Sequence, residues 1–236
     1  MRLTVIALAL TSSVFASAQY ASINSTRLEP RFYNDIPGST LTSTNVWPSV
    51  NFNDQNVSQA TGFANRHVWS VSSDGGATSY QFGGTDAFTI TQKIRMDVVG
   101  AENKEAGIFF LNPGNGDHIF LIKTSNNGEI AAFAGGFPFY TFTGNYNDHY
   151  VPGTTVTMSV TYFKDTDNVN KAIYRYNNHF SGAQAWGNNE GELLANTQVG
   201  GYCQIVNDPN MPTNAINANF SDITVSPANK LSLIHI

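Results

Sequence analysis

Apolar and polar side chains alternate with a period of two along most of this chain, and this pattern restricts the fold more than any other feature. In residues 88–98, apolar side chains share one face of the predicted strand while Thr, Lys, Arg and Asp occupy the other. Such alternation is typical of a strand with one buried face. The same pattern predicts eight buried positions: Ile90, Ile94, Met96, Ile108, Phe110, Val156, Met158 and Val160.

Similar segments continue to residue 225 and are separated by turn-forming sequences such as Asn126-Asn127-Gly128 and Val151-Pro152-Gly153. No stretch shows a convincing helical period with capping residues. Apolar residues make up 41% of the 236 residues and charged residues only 12%, a composition that favours a large buried core over disorder. The sequence therefore predicts an all-β fold in which short strands form a sandwich or a barrel.

The two ends of the chain differ from its Asn- and Gly-rich body. Met1-Arg2, an apolar stretch and Ala16-Ser17-Ala18 predict a signal peptide over residues 1–18, too short in its apolar part to span a bilayer. We therefore expect a secreted, extracellular or cell-surface protein with no transmembrane segment in the mature chain. A single domain is expected over residues 19–225, and the tail 226–236 is expected to be non-native or disordered. Cys203, the single cysteine, excludes an internal disulfide.

The order of the predicted strands resembles that of a known superfamily. The resemblance is carried by the strands Phe88–Ile90 and Glu105–Phe110, the hairpin through Asn126-Asn127-Gly128, the Gly200-Gly201-Tyr202 strand and the closing Phe220–Ile223 strand. These resemble the concanavalin A-like jelly roll of legume lectins, laminin G-like domains and glucanases. The resemblance implies an all-β fold that is a two-sheet antiparallel jelly-roll β-sandwich. The segments 60–69 and 201–209 are also similar to secreted bacterial proteins with a Pro-Glu-Pro sorting tail, which does not occur in this sequence. The resemblance implies a concave sheet face of the kind that commonly binds carbohydrate, although a fold does not fix a function.

Residues 135–150 form the segment that is richest in aromatic side chains, and Gly and Pro residues lie at its start. Aromatic rings stack on the apolar faces of sugars, and Asn and Asp oxygens bind sugar hydroxyls, so such a loop suits a glycan site. We expect Phe137, Phe139 and Phe142 to cap the core instead. The predicted ligand-binding residues are Tyr140, Tyr146, Asn147, Tyr150 and Trp186.

Catalysis is the less favoured alternative. Retaining glycosidases need two carboxylates about 5 Å apart. The Glu-x-Asp-x-x-Glu motif that supplies them in glucanases does not occur here. Other acidic residues, namely Glu102, Glu190 and Glu192, fit solvated turns. Resemblance to alginate-lyase-like enzymes of this fold implies a different site. In those enzymes, Arg and Gln neutralise the carboxylate of the substrate, while a general base and acid reach the proton alpha to that carboxylate. The Gln-x-His motif of those enzymes is missing. If the protein is an enzyme, its candidate residues are Arg66, His67, Arg95, Glu105, Tyr162 and Gln204.

Metal and nucleic-acid sites have little support in the sequence. Asp165 and Asp167 begin a loop like that of a calcium site, but Val169 and Asn170 stand where an oxygen ligand and Gly are needed. Ca²⁺ held by these two carboxylates is the one cofactor candidate. The net charge of -5, without a basic patch, argues against a nucleic-acid partner.

Three functions therefore remain open. The favoured one is a secreted, non-catalytic β-sandwich that binds a polysaccharide or cell-surface glycan or associates with an extracellular matrix. The second is a structural surface or biofilm protein without a specific ligand. The third is a polysaccharide lyase or glycoside hydrolase. Exposed aromatic rings beside Asn would favour the first function, surfaces of Thr and Ser the second, and converging acids or an Arg, His and Tyr cluster the third.

Overall fold

A computed structural model describes residues 20–100, 103–112, 116–133, 138–185 and 196–228. The regular structure in these ranges is almost entirely β, with one short helix, α1 (Phe142–Tyr146). The strands are, in chain order, β1 (Ser25–Asn34), β2 (Thr40–Val46), β3 (Ser49–Gln55), β4 (Ala64–Ser72), β5 (Phe88–Val99), β6 (Lys104–Asn112), β7 (Gly116–Lys123), β8 (Ile130–Phe133), β9 (Tyr140–Thr141), β10 (Thr155–Lys164), β11 (Asn170–Tyr176), β12 (His179–Phe180), β13 (Gln184–Ala185), β14 (Gln198–Val206) and β15 (Ala215–Pro227).

The strands form two antiparallel sheets that pack face to face. The first sheet has the order β1-β4-β14-β6-β7-β8-β9, and the second has the order β12-β11-β10-β5-β15-β3-β2, with β13 also paired to β11. Strands that are distant in sequence lie side by side, as in β1 with β4 and β5 with β15. This arrangement is a jelly-roll sandwich and confirms the predicted fold class.

One hydrophobic core fills the space between the sheets. The alternation in β5 places Phe88, Ile90, Ile94 and Met96 in this core, while Lys93 and Arg95 point to solvent. All eight core positions predicted from the sequence are buried, none of them more than 4% exposed. The prediction of the core from strand periodicity is therefore confirmed.

A second, smaller apolar cluster lies on the face of the first sheet that turns away from the core. Its buried members are Val68, Phe109, Ile119, Leu121 and Tyr202. Phe32 of β1 packs edge-on against Phe109, with ring centroids 6.0 Å apart. Phe32 can reach this cluster because the register of β1 against β4 shifts between Glu29 and Tyr33, which makes the chain bulge there. We call this side of the first sheet its outer face.

A buried polar network holds the base of this bulge. Asp54 and His67 are fully buried, and His67 Nε2 lies 3.0 Å from Asp54 Oδ2. The backbone N–H of Arg31, a bulge residue with φ of 59°, donates to His67 Nδ1 over 3.1 Å. Because Nδ1 accepts a hydrogen bond, the proton of the neutral imidazole is on Nε2 and is donated to Asp54. Asn65 Nδ2 donates a further hydrogen bond to Asp54 Oδ2.

The structure adjusts two details of the sequence-based boundaries. The last strand, β15, continues through Ser226 and Pro227, which pair with Thr89 and Phe88 of β5. The predicted tail therefore begins two residues too early, because its first residues complete the ladder of a central strand. The predicted signal peptide and residues 229–236 lie outside the described residues. Helix α1 was not predicted, since five residues are too few to show a helical period.

Candidate functional site

Helix α1 positions the surface part of the aromatic segment. Thr141 caps the helix, its Oγ1 accepting a hydrogen bond from the N–H of Gly144, and Asn147 ends it in the left-handed conformation. Phe142 is fully buried and packs against Phe120 with ring centroids 5.6 Å apart. Phe142 therefore anchors the helix to the core, and Tyr146, one turn later, lies at the surface.

The rings of Tyr146 and His179 are stacked face to face. The two ring centroids are 4.3 Å apart and the ring planes differ by only 5°. Tyr146 is 43% exposed, and its hydroxyl donates to the carbonyl oxygen of Phe180 over 2.8 Å. His179 Nδ1 lies 2.8 Å from Asp148 Oδ2, which fixes the imidazole over the tyrosine ring. Both rings are therefore held in one orientation before any ligand binds.

Polar groups and further rings surround this stack. Asn147 is exposed, and its Oδ1 lies 3.2 Å from Nε2 of His149. The guanidinium of Arg175 lies over the ring of Phe180, 5.4 Å from its centroid. We call Tyr140, Tyr146, Asn147, Asp148, His179 and Phe180 the aromatic surface. It combines ordered rings with amide, carboxylate and imidazole groups, the combination that ligand sites use for contact area and for orientation.

The structure brings together some of the predicted ligand-binding residues and separates others. Tyr140 and Tyr146 interact, and Asn147 follows them at the end of the helix; burial, with a smaller effect of Tyr146, raises the pKa of Tyr140 to about 12. Tyr150 is only 3% exposed, and its hydroxyl accepts from the N–H of Met96 over 2.8 Å. Tyr150, which was predicted to bind a ligand, is therefore not available at the surface, because its hydroxyl bonds to the backbone of Met96 and Thr154 inside the sandwich. Trp186 lies outside the described residues.

The phenylalanines of the same segment also differ from one another. Phe142 is buried, as predicted for a residue that caps the core, whereas Phe139 is 68% exposed. The prediction for Phe139 is therefore wrong, since this side chain points to solvent just before β9. Phe137 lies outside the described residues.

Sequence reasoning missed the contribution of the β11–β12 hairpin to this surface. The chain turns at Asn177-Asn178, with Asn177 at φ of 50°, and His179 pairs with Tyr176 across the hairpin. Asn residues tolerate this left-handed conformation and so favour a tight turn. The Asn-Asn pair after an alternating strand was the signal that could have placed His179 and Phe180 at this edge.

Three of the candidate enzyme residues share the outer face of the first sheet. Arg66, Gln204, Glu105 and Lys123 are register partners on four adjacent strands, and we call them the outer-face row. Arg66 Nε donates to Gln204 Oε1 over 2.9 Å, and the hydroxyl of Tyr202 donates to Glu105 Oε1 over 3.2 Å. Burial raises the pKa of Glu105, while the positive charges of Arg66 and Lys123 oppose this rise. A half-buried carboxyl between two cations is a feature found at functional sites.

The other candidate enzyme residues lie elsewhere. His67 and Tyr162 point into the core, where they are 0% and 1% exposed, and Arg95 lies on the solvent face of the second sheet, paired with Asp97. Successive residues of a strand point to opposite faces, so Arg66 and His67 cannot serve one site. The six candidate enzyme residues therefore do not form one site.

The two aspartates predicted to hold Ca²⁺ pair with a lysine side chain. Asp165 and Asp167 lie 2.7 and 2.9 Å from Nζ of Lys171. Hydrogen bonds from Lys171 lower the pKa of both carboxyls. Across the described ranges, the His, Cys, Asp and Glu side chains form no group of three that could hold a metal ion. Glu102, Glu190 and Glu192 lie outside those ranges.

Comparison with known proteins identifies the fold. No protein-family model and no curated protein sequence matches the chain. An alginate lyase from Corynebacterium sp. superposes with a TM-score of 0.51 at 12% identity, covering 89% of this chain and 97% of that one. The alginate lyase AlgAT5 of polysaccharide lyase family 7 gives 0.51 at 10% identity, with 88% and 96% covered.

A further similar structure is a protein from Mycobacterium paratuberculosis, with a TM-score of 0.50, 9% identity, and 85% of this chain and 91% of that chain covered. At these identities the similarity establishes a shared jelly-roll fold. Within the described part of the chain, no helix has the length and apolar character needed to cross a membrane.

Proposed function

We propose that this protein is secreted and binds a polysaccharide or cell-surface glycan without cleaving it, through the aromatic surface. The parallel stack of Tyr146 and His179 supports this proposal most strongly, because it offers a fixed, partly exposed ring platform. Asn147 and Asp148 supply amide and carboxylate oxygens for sugar hydroxyls next to the rings. Two structural neighbours are alginate lyases, which agrees with a carbohydrate-related role for this fold.

Affinity electrophoresis against a panel of neutral and acidic polysaccharides, including β-glucan and alginate, tests this proposal. We expect weak retardation, in the micromolar to millimolar range, that Tyr146→Ala reduces at least about tenfold. Ring stacking should dominate, so retardation should change little with salt, which screens attraction between charges. Tyr33→Ala is the matched control: Tyr33 is a similarly exposed tyrosine, at 45%, and pairs in register with Arg66 beside the outer-face row.

Two outcomes would contradict the proposal. If no polysaccharide retards the wild-type protein, the protein belongs to the structural class without a specific ligand. If Tyr33→Ala abolishes retardation and Tyr146→Ala does not, the glycan binds at the outer face instead.

The outer-face row favours a second candidate, a polysaccharide lyase. Arg66 and Gln204 could neutralise a uronate carboxylate, and Glu105 with Tyr202 could exchange protons with the sugar. The same incubations, analysed for unsaturated uronate and reducing ends, separate the two functions. Product that Glu105→Gln abolishes would establish the lyase, whereas we expect the polysaccharides to remain uncut.

A further inference from the structure

Most edges of the two sheets carry features that prevent pairing with another chain. At one edge of the first sheet, β1 contains Pro30 and the bulge between Glu29 and Tyr33, and it carries Arg27, Glu29 and Arg31. At the other edge, β9 has only two residues, as do β12 and β13 in the second sheet. Proline, charge, irregularity and short length are the usual means by which proteins protect sheet edges.

The remaining edge strand, β2, has none of these features. It is seven residues long, contains neither a charged residue nor proline, and pairs with β3 in an unbroken register from Thr40 to Val46. All of its side chains except Leu41 are exposed. Its backbone N–H and C=O groups make no hydrogen bonds to other described residues beyond the ladder with β3. With respect to the described part of the chain, the strand therefore presents an unpaired row of backbone donors and acceptors.

This edge is also held rigidly in place. The side chain of Asn45 donates to the carbonyl oxygen of Thr26 in β1 over 2.7 Å, and Thr26 Oγ1 donates back to Asn45 Oδ1. Because the register places Asn45 opposite the buried Val50, this contact lies on the inner side of the strand. Thr42 and Thr44 lie on the other side, next to the uncharged Asn53 and Asn51 of β3. An incoming strand would meet an ordered edge without charge repulsion.

We propose that β2 pairs antiparallel with β2 of a second copy of the chain, about a twofold axis through Ser43. In this register Thr42 lies opposite Thr44 of the partner copy, twice by symmetry, and Thr40 lies opposite Val46 of the partner copy. Cross-strand threonine pairs are favourable, and no like charges meet. The strand is therefore complementary to itself, as a twofold interface requires, which favours a second copy over a different partner chain.

The pairing has a consequence for the arrangement of the aromatic surfaces. In the second sheet, β2 and β12 lie at opposite edges, and β12 carries His179 and Phe180. A dimer joined through β2 therefore keeps both aromatic surfaces at its far ends. Two such surfaces could engage one long polymer at two points, which raises avidity without a new contact. The dimer itself does not depend on the proposed glycan binding.

Sedimentation velocity of the full mature chain over a concentration series tests the proposal with two charge variants. In Thr42→Lys/Thr44→Lys, each new lysine faces a lysine of the partner copy, and we expect the dimer dissociation constant to rise at least tenfold. In Thr42→Lys/Thr44→Glu, each lysine faces a glutamate, and we expect the dimer to persist. Both positions are exposed, and circular dichroism should show that both variants keep the fold.

A wild-type protein that stays monomeric up to millimolar concentration would overturn the proposal. A double-lysine variant that dimerises as strongly as wild type would show that another surface forms the dimer. Loss of the dimer in the Lys/Glu variant would also contradict the register, since the attractive pairs should stabilise it.

Discussion

His67 and His179 both pair with an aspartate, but burial gives the two pairs different roles. His67 and Asp54 are fully enclosed between the sheets, and the ring of His67 also holds the backbone of Arg31 in the bulge. His179 and Asp148 are partly exposed at the aromatic surface. A buried pair must keep both partners, because a charge left alone in the core is costly. The first pair therefore supports the structure, while the second is available to a ligand.

Asp54 should make the stability of the protein depend on acid pH. Burial by itself raises the pKa of this carboxyl, but hydrogen bonds from His67, Ser39 and Asn65 outweigh it and leave the pKa lowered. The unfolded chain therefore takes up the proton first, so this stabilisation is present above about pH 4 and is lost as pH falls through the lower, folded value. In Asp54→Asn, we expect urea unfolding curves to show a lower free energy of unfolding at pH 6 and a smaller loss between pH 5 and 2. Wild-type and variant curves that stay parallel over this range would contradict the assignment.

At the scale of elements, two glycines allow neighbouring strands of the first sheet to lie close together. A Cβ at Gly200 of β14 would overlap the carbonyl oxygen of Trp69 in β4, and one at Gly107 of β6 would overlap that of Phe120 in β7. The neighbouring atoms are backbone, which cannot move without shifting a strand. These glycines thereby help to align the strands that carry the outer-face row.

Gly200→Ala should therefore destabilise the protein by roughly 1–3 kcal/mol, the usual cost of overpacking a tight site. Gly83→Ala is the matched control, because a Cβ there would meet only the side chain of Asp86, at 3.7 Å. Chemical denaturation of both variants measures the difference. Equal stability of the two variants would show that β4 and β14 can separate without cost.

The first two strands show why some elements could not be predicted. β2 is largely polar and exposed, and the bulge in β1 interrupts its alternation, so neither has a regular buried face in the sequence. β5 and β10, by contrast, are central strands in which apolar and polar residues alternate over most of the sequence, and both were predicted from it. Periodicity identifies a strand only where one face is consistently buried.

At the scale of the whole molecule, the two sheets share one core, so a cavity on either inner face should weaken the entire sandwich. Met158 of β10 is fully buried in this core. We expect Met158→Ala to lower the free energy of unfolding by about 2–5 kcal/mol. The control is Val99→Ala at an exposed position on β5, which should change it by less than about 0.5 kcal/mol. Similar losses in both variants, measured by urea unfolding, would contradict a shared core.

Alternation of apolar and polar residues predicted an all-β fold and eight positions of the core, because this alternation is a local property of each strand. The sequence also placed Tyr140, Tyr146 and Asn147 in one short segment, and their role in binding remains a prediction. Tertiary structure decided which distant residues join them. His179 reached the aromatic surface through a hairpin, Tyr150 was drawn into the core by the backbone of Met96, and strand parity turned His67 away from Arg66. Such placements depend on register and on contacts between strands, and these are fixed only when the two sheets pack.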